Sequence, residues 1–132
     1  MILEEKTRIL VADDNQLQLA ITGDALKGAG FDVLTVSQGA KVYQEVLRYN
    51  PHLVLLDIMM PGIDGIEICR NLKRAPKTQN IIIVIYSGKK DPDLMDLAHA
   101  VGADGFIIKS NDLDAIVSRI KEILSDKLGR QI

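Results

Sequence analysis

Leu53-Val54-Leu55-Leu56-Asp57-Ile58-Met59-Met60-Pro61-Gly62-Ile63-Asp64-Gly65 decides how the rest of the chain is read. Its first four residues form an unbroken apolar run, rich in branched side chains and too short for a buried helix. Such a run is a strand covered on both faces, which is the habit of a parallel sheet. The run stops at a carboxylate, and a proline and two glycines follow. That is a strand end opening into a loop.

Working outward, the same kind of run recurs at Ile9–Ala12, Ile81–Ile85 and Phe106–Ile108, with a weaker one at Asp32–Val36. Between them lie segments with helical spacing. Leu17, Ile21, Ala25 and Ala29 form a row that stops at Gly30. Val42, Val46 and Tyr49 form a second row, and Ile68 and Leu72 a third. Leu94, Leu97, Ala98 and Val101 form a fourth, opened by Asp91-Pro92 and closed by Gly102: a cap, a proline in the first turn and a terminal glycine. Leu113, Ile116, Val117, Ile120 and Leu124 form the last, before Gly129. Strand and helix thus alternate five times. This predicts an α/β fold, a five-stranded parallel sheet between two helical layers.

Composition narrows the class. The chain has 132 residues, 47% hydrophobic and 26% charged, with net charge −2. That is one globular domain, long enough to bury roughly two-thirds of its unfolded-chain surface. The single cysteine excludes an internal disulfide and a zinc–thiolate cluster. No apolar run approaches the roughly 18 residues of a membrane span. Met1–Arg8 is too charged for a signal peptide, and no basic block points to nucleic acid. The expectation is an intracellular, cytoplasmic protein with neither membrane nor direct nucleic-acid binding. Residues 7–126 form the domain, between an N-terminal extension (1–6) and a polar C-terminal tail (127–132). The five units are expected to use nearly the whole length, so that action on other molecules is expected through contact or a domain elsewhere.

In a parallel α/β sheet, ligands bind beyond the carboxyl ends of the strands. Asp13 and Asp14 follow the first strand, Asp57 the third, Ser87 and Gly88 the fourth and Lys109 the fifth. Crowded carboxylates repel, and a hard divalent cation neutralises them. Mg²⁺ fits such oxygen donors, with Mn²⁺ as a substitute, and leaves room for phosphate oxygens. An aspartate there can attack phosphorus and form an acyl phosphate. A hydroxyl and an ammonium then hold the phosphoryl oxygens. Glycines 62, 65 and 88 are expected to keep the nearby backbone slim. Any one of these acids alone reads as a helix cap or a solvated loop residue. The five together carry the argument.

These residues resemble the receiver domain of two-component response regulators over about residues 7–125. The resemblance rests on Ile9-Leu10-Val11-Ala12-Asp13-Asp14-Asn15, on Leu55-Leu56-Asp57-Ile58-Met59-Met60-Pro61-Gly62 with Asp64-Gly65, on Tyr86-Ser87-Gly88 and on Gly102-Ala103-Asp104-Gly105-Phe106-Ile107-Ile108-Lys109. It implies a flavodoxin-like sheet in the order 2-1-3-4-5 and a cytoplasmic phosphoprotein of a phosphorelay. Asp57 then corresponds to the phosphoacceptor. Asp14 is the direct Mg²⁺ ligand, Asp13 acts mainly through water, and the Met59 carbonyl is a further ligand. Ser87 and Lys109 bind the phosphoryl group, and Phe106 responds to the movement of Ser87. Partners would be a histidine kinase or histidine phosphotransfer protein and a downstream protein or output domain. Homodimerisation would use the face of the fourth helix, fifth strand and fifth helix. The protein would be a signalling switch, not an enzyme acting on a separate substrate, though it assists its own phosphorylation and dephosphorylation.

Three positions depart from the family's usual pattern. Serine stands at 87 where threonine is commoner, and glycine at 88 where alanine is. Ser110 replaces the proline that commonly follows the lysine after a cis bond. A cis bond before a non-proline costs about 3 kcal/mol. Either that strain is stored here or the bond is trans and Lys109 is aimed differently. Met59 and Lys89 are expected to flank the attacking water and set the acyl-phosphate lifetime. On the first helix, Leu19, Gly23 and Leu26 lie opposite the Leu17–Ile21–Ala25 row and are read as an outward docking patch for a four-helix phosphotransfer partner. His52, His99 and Cys69 share no metal-ligand spacing and are read as structural.

Other classes fit less well. A flavin module needs a hydroxyl-rich phosphate loop where Asp13-Asp14 stands. A haloacid-dehalogenase-like phosphatase needs a second acid where Met59 stands. A receiver-like interaction module that works without phosphorylation is the remaining alternative, disfavoured by the full acidic set and Lys109.

Overall fold

A computed structural model describes residues 5–129. The chain runs β1 (Arg8–Ala12), α1 (Gln16–Gly28), β2 (Asp32–Val36), α2 (Val42–Tyr49), β3 (Leu53–Asp57), α3 (Gly65–Arg74), β4 (Ile82–Ser87), α4 (Pro92–Ala100), β5 (Gly105–Ile108) and α5 (Leu113–Leu128), with a short 3-10 turn at Gly39–Lys41. All five strands are parallel and stand in the order β2-β1-β3-β4-β5. Helix α5 runs on to Leu128 and ends where Gly129 turns left-handed at φ 67°. The start of the predicted tail is therefore helical. Residues 1–4 and 130–132 of the predicted extension and tail lie outside the described residues.

Strand alternation divides the core in two. Leu10, Ala12, Val54, Leu56, Ile83 and Ile85 face one layer, with Val42 and Val46 of α2, Cys69 and Leu72 of α3 and Ala98 of α4. Ile9, Val11, Leu53, Leu55, Val84 and Tyr86 face the other, with Leu19 and Leu26 of α1 and Ile120 and Leu124 of α5. The central strands β1, β3 and β4 are buried nearly end to end, so their continuous hydrophobicity has its cause in this two-sided cover.

Four of the five helices, α1, α3, α4 and α5, start where polar side chains satisfy orphan N–H groups. Asn15 accepts from Gln18 N–H at 3.0 Å. Asp64 accepts from Ile66 and Glu67, Asp91 from Asp93 and Leu94, and Asp112 from Ala115. Each cap contributes about 1 kcal/mol and sets a helix start just beyond a strand end, beside the site.

The first helix turns the opposite way from the sequence reading. Leu19, Thr22, Gly23 and Leu26 are buried, while Leu17 and Ile21 are 72% and 40% exposed. A Cβ at Gly23 would stand 3.0 Å from Thr35 Cγ2, so this face lies hard against β2. Leu19, Gly23 and Leu26 therefore form no outward docking patch. Helix α1 carries apolar residues on both sides, and spacing alone does not say which stripe meets the sheet. The glycines of the β3–α3 loop also act otherwise than expected. Gly65 is needed for packing, because a Cβ there would lie 2.5 Å from Ile58 Cα, and Gly62 supplies a left-handed turn at φ 74°.

Candidate functional site

The carboxyl ends of β1, β3, β4 and β5 open into a cavity of about 350 Å³. Asp13, Asp14, Asp57, Met59, Ser87 and Lys109 line it, joined by Asn15, Gly88 and Lys89. Asp13 and Asp57 are 0% and 3% exposed and Ser87 1%, while Asp14 lies open to solvent. Carboxylate oxygens of Asp13, Asp14 and Asp57 lie within 4.8 Å of one another.

Each buried acid is held by its own loop. Asp13 Oδ1 accepts the Asn15 N–H at 3.0 Å, and Asp57 Oδ1 accepts the Met59 N–H at 2.9 Å. These bonds leave Oδ2 of each acid facing the cavity, and Lys109 Nζ donates to both, at 3.0 Å each. Ser87 Oγ accepts the Lys89 N–H at 3.3 Å, which keeps its hydroxyl hydrogen available to an incoming acceptor.

The charges follow the burial. Loss of water raises the Asp13 pKa above its usual 3.8, opposed by the Asn15 N–H and Lys109. Burial pulls Lys109 down, but its hydrogen bonds and ion pairs with Asp57 and Asp13 outweigh this and raise it above 10.5. Lys109 is therefore a firm cation at neutral pH.

No peptide bond among the described residues is cis. The Lys109-Ser110 bond is trans, and Lys109 still reaches both acids. Phe106 stands apart from the cavity. It is half-buried and lines a separate cleft between α4 and β5 with Met95, Ala98 and His99. His52 Nδ1 accepts the Arg8 N–H at 2.9 Å, a structural bond from the bend before β3 to the first residue of β1. Sequence places Tyr86 only within the Tyr86-Ser87-Gly88 run and assigns no role to Gln18 or Thr22. Tyr86 is fully buried with Lys109 Nζ 5.1 Å from its ring centre. A tyrosine inside an apolar strand was the available signal, because a buried phenol requires a polar partner.

The donor set suits a hard divalent cation. It consists of oxygens, three of them carboxylate within one short radius, with open solvent on the Asp14 side for water ligands.

Residues 9–121 match the response regulator receiver domain, and the chain belongs to that family. Over 116 residues it is 34% identical to the DNA-binding response regulator MtrA of Mycobacterium tuberculosis, covering 88% of this chain and 50% of that one. Over 114 residues it is 33% identical to the CAI-1 autoinducer sensor kinase/phosphatase CqsS of Vibrio cholerae, covering 86% of this chain and 17% of that one. The chain thus spans half or less of the length of these relatives. Among solved structures it resembles the BeF3-activated N-terminal receiver domain of Klebsiella pneumoniae RstA, with TM-score 0.81 and 26% identity, over 89% of this chain and 98% of that one. The chain is a receiver of two-component signalling, the phosphoacceptor class of a phosphorelay.

Proposed function

We propose that Asp57 is the phosphoacceptor and that its phosphorylation switches a partner-binding surface. The observation that carries this is the Lys109 ammonium, held 3.0 Å from Asp57 and 3.0 Å from Asp13 at the mouth of a three-carboxylate cavity. A histidine kinase or phosphotransfer protein would present a phosphohistidine. The outward oxygen of Asp57 attacks phosphorus in line. A P–O bond forms, the P–N bond breaks, and the imidazole leaves with the electron pair. The Met59 N–H keeps Asp57 Oδ1 engaged, so Oδ2 is the reacting oxygen.

Asp13, Asp14, Asp57 and the Met59 carbonyl would hold Mg²⁺, or Mn²⁺ in its place. The metal supplies charge neutralisation, without which an anionic donor would meet three carboxylates. Lys109 and the Ser87 hydroxyl bind the phosphoryl oxygens, and Ser87 turns inward to do so. Phe106, on the cleft between α4 and β5, responds to that movement. The altered α4–β5–α5 face then meets a second copy, a downstream protein or an output domain. Water attack on phosphorus returns the free carboxylate and phosphate, with Met59 and Lys89 flanking the water's path. The chain acts as a cytoplasmic switch and assists chemistry only at its own aspartate.

Acetyl phosphate or beryllium fluoride, each with Mg²⁺, tests this. The native protein should gain a phosphoryl group at Asp57, or its fluoride mimic, with amide shifts at Ser87 and Phe106. Asp57→Asn should respond to neither. A native protein that is unmoved by both reagents and indistinguishable from Asp57→Asn overturns the reading in favour of an interaction module that needs no phosphate.

A further inference from the structure

Tyr86 lies in β4 immediately before Ser87, with its whole side chain buried on the α1–α5 side of the sheet. Its two ends touch different machinery. The ring carries Lys109 Nζ 5.1 Å from its centre, inside the range at which an aromatic face attracts an ammonium. The hydroxyl accepts from Gln18 Nε2 at 3.2 Å and lies 3.5 Å from Thr22 Oγ1. Gln18 Nε2 also donates to Thr22 Oγ1 at 3.0 Å. Phenol, amide and hydroxyl thus close a small polar triangle beneath α1. Gln18 is flanked in sequence by Leu17, the most exposed large apolar residue of this helix.

We infer that Tyr86 is a positioning residue that ties Lys109 to helix α1, so that occupancy of the phosphoacceptor pocket is felt at Gln18 and Thr22. The physical reason is that Lys109 has three neighbours to satisfy: two carboxylates and one ring. The carboxylates fix its distance from the site, and the ring fixes its side of approach. A phosphoryl group at Asp57 draws the ammonium toward new oxygens and off the ring face. Tyr86 is close-packed and has no space to yield alone, so its hydroxyl and the two α1 side chains adjust with it. The same helix presents Leu17 and Ile21 to solvent, so the link runs from the pocket to an exposed apolar surface.

The inference rests on the receiver reading, and Tyr86→Phe and Tyr86→Leu separate the two. Affinity for beryllium fluoride with Mg²⁺ is measured for each, with ring-current shifts of the Lys109 ε-methylene protons and amide shifts of Gln18 and Thr22. The phenylalanine variant keeps the ring. It should retain the upfield Lys109 shift and bind within twofold of native, while Gln18 and Thr22 cease to respond to the ligand. The leucine variant should lose the Lys109 shift and bind roughly fivefold more tightly, because the partly shielded cation–π contact given up on binding is absent from its free state. A Gln18→Ala/Thr22→Val pair keeps Tyr86 and should lose transmission to the other α1 amides, so the hydroxyl arm stays testable if the leucine variant does not fold. Native binding with both tyrosine variants equal to it, or an α1 response that survives in phenylalanine, overturns the inference alone. A native protein that fails to bind overturns the receiver reading and this coupling together.

Discussion

Lys109 illustrates how magnitudes decide a residue's state. Burial alone would lower its pKa, but two carboxylates at 3.0 Å outweigh that effect and raise it above 10.5. Cys69 is the opposite case. It is fully buried between the sheet and α3, and burial pushes its thiol up to about 11 from 9.0, against a smaller pull from Lys73. The folded protein therefore keeps this proton where the unfolded chain releases it. That contribution to stability is fully present below pH 9.0 and is lost as pH rises toward about 11. Urea unfolding of the native protein and of Cys69→Ala should show their stability gap narrowing across that window. A gap independent of pH would contradict the assignment.

Among the elements, α1 is the one whose orientation sequence could not settle. Leu17, Ile21 and Ala25 are as well spaced for a core stripe as Leu19, Thr22 and Leu26. The sheet takes the second set, because Gly23 lets the helix approach β2 and the Thr22 hydroxyl meets the buried Tyr86 phenol. Paired substitutions check this. Leu19→Glu buries a charge and should cost about 3 kcal/mol or more, whereas Leu17→Glu should change urea stability by no more than about 0.5 kcal/mol. The reverse ranking would restore the first stripe to the core. Three of the other helices are more legible, because a capping aspartate marks the start of α3, α4 and α5. Asp91-Pro92 opens α4 and Asp112 opens α5. Strand ends differ from the apolar runs by a residue or two. Strand β4, for instance, continues through Tyr86 to Ser87, because its polar last residues still pair with β5.

At the scale of the whole molecule, the fold concentrates negative charge at one end of the sheet. Asp13 and Asp57 are almost wholly buried there with Asp14 beside them, and one lysine offsets them. Under the proposed function, Mg²⁺ binds only the folded arrangement and stabilises it by mass action, by about 2.7 kcal/mol at a hundred times its dissociation constant. Thermal melting should rise with Mg²⁺ and fall back on chelation, while Asp13→Asn should melt at one temperature regardless. Because burial raises the Asp13 pKa above 3.8, protons compete with the metal more effectively than at a free aspartate. The Mg²⁺ effect should therefore shrink as pH is lowered into the acid range. A melting temperature indifferent to Mg²⁺ at neutral pH would remove the metal from the site.

By itself the sequence determined the five strand–helix units, the parallel sheet and the five polar residues at its carboxyl end. All of these follow from local patterns: unbroken apolar runs, caps, and a polar residue where each run stops. Only the tertiary structure decided which face of α1 is buried, that Lys109 spans Asp13 and Asp57 across a trans bond, and that Tyr86 joins Lys109 to Gln18 and Thr22. Those contacts link residues 64 to 96 positions apart, apart from the Lys109 pairings with Asp57 at 52 and with Tyr86 nearer still. Periodicity reports how a segment is patterned against an unspecified neighbour. The packing of α1 and β5 against one sheet supplies the neighbour, and with it the geometry of the site.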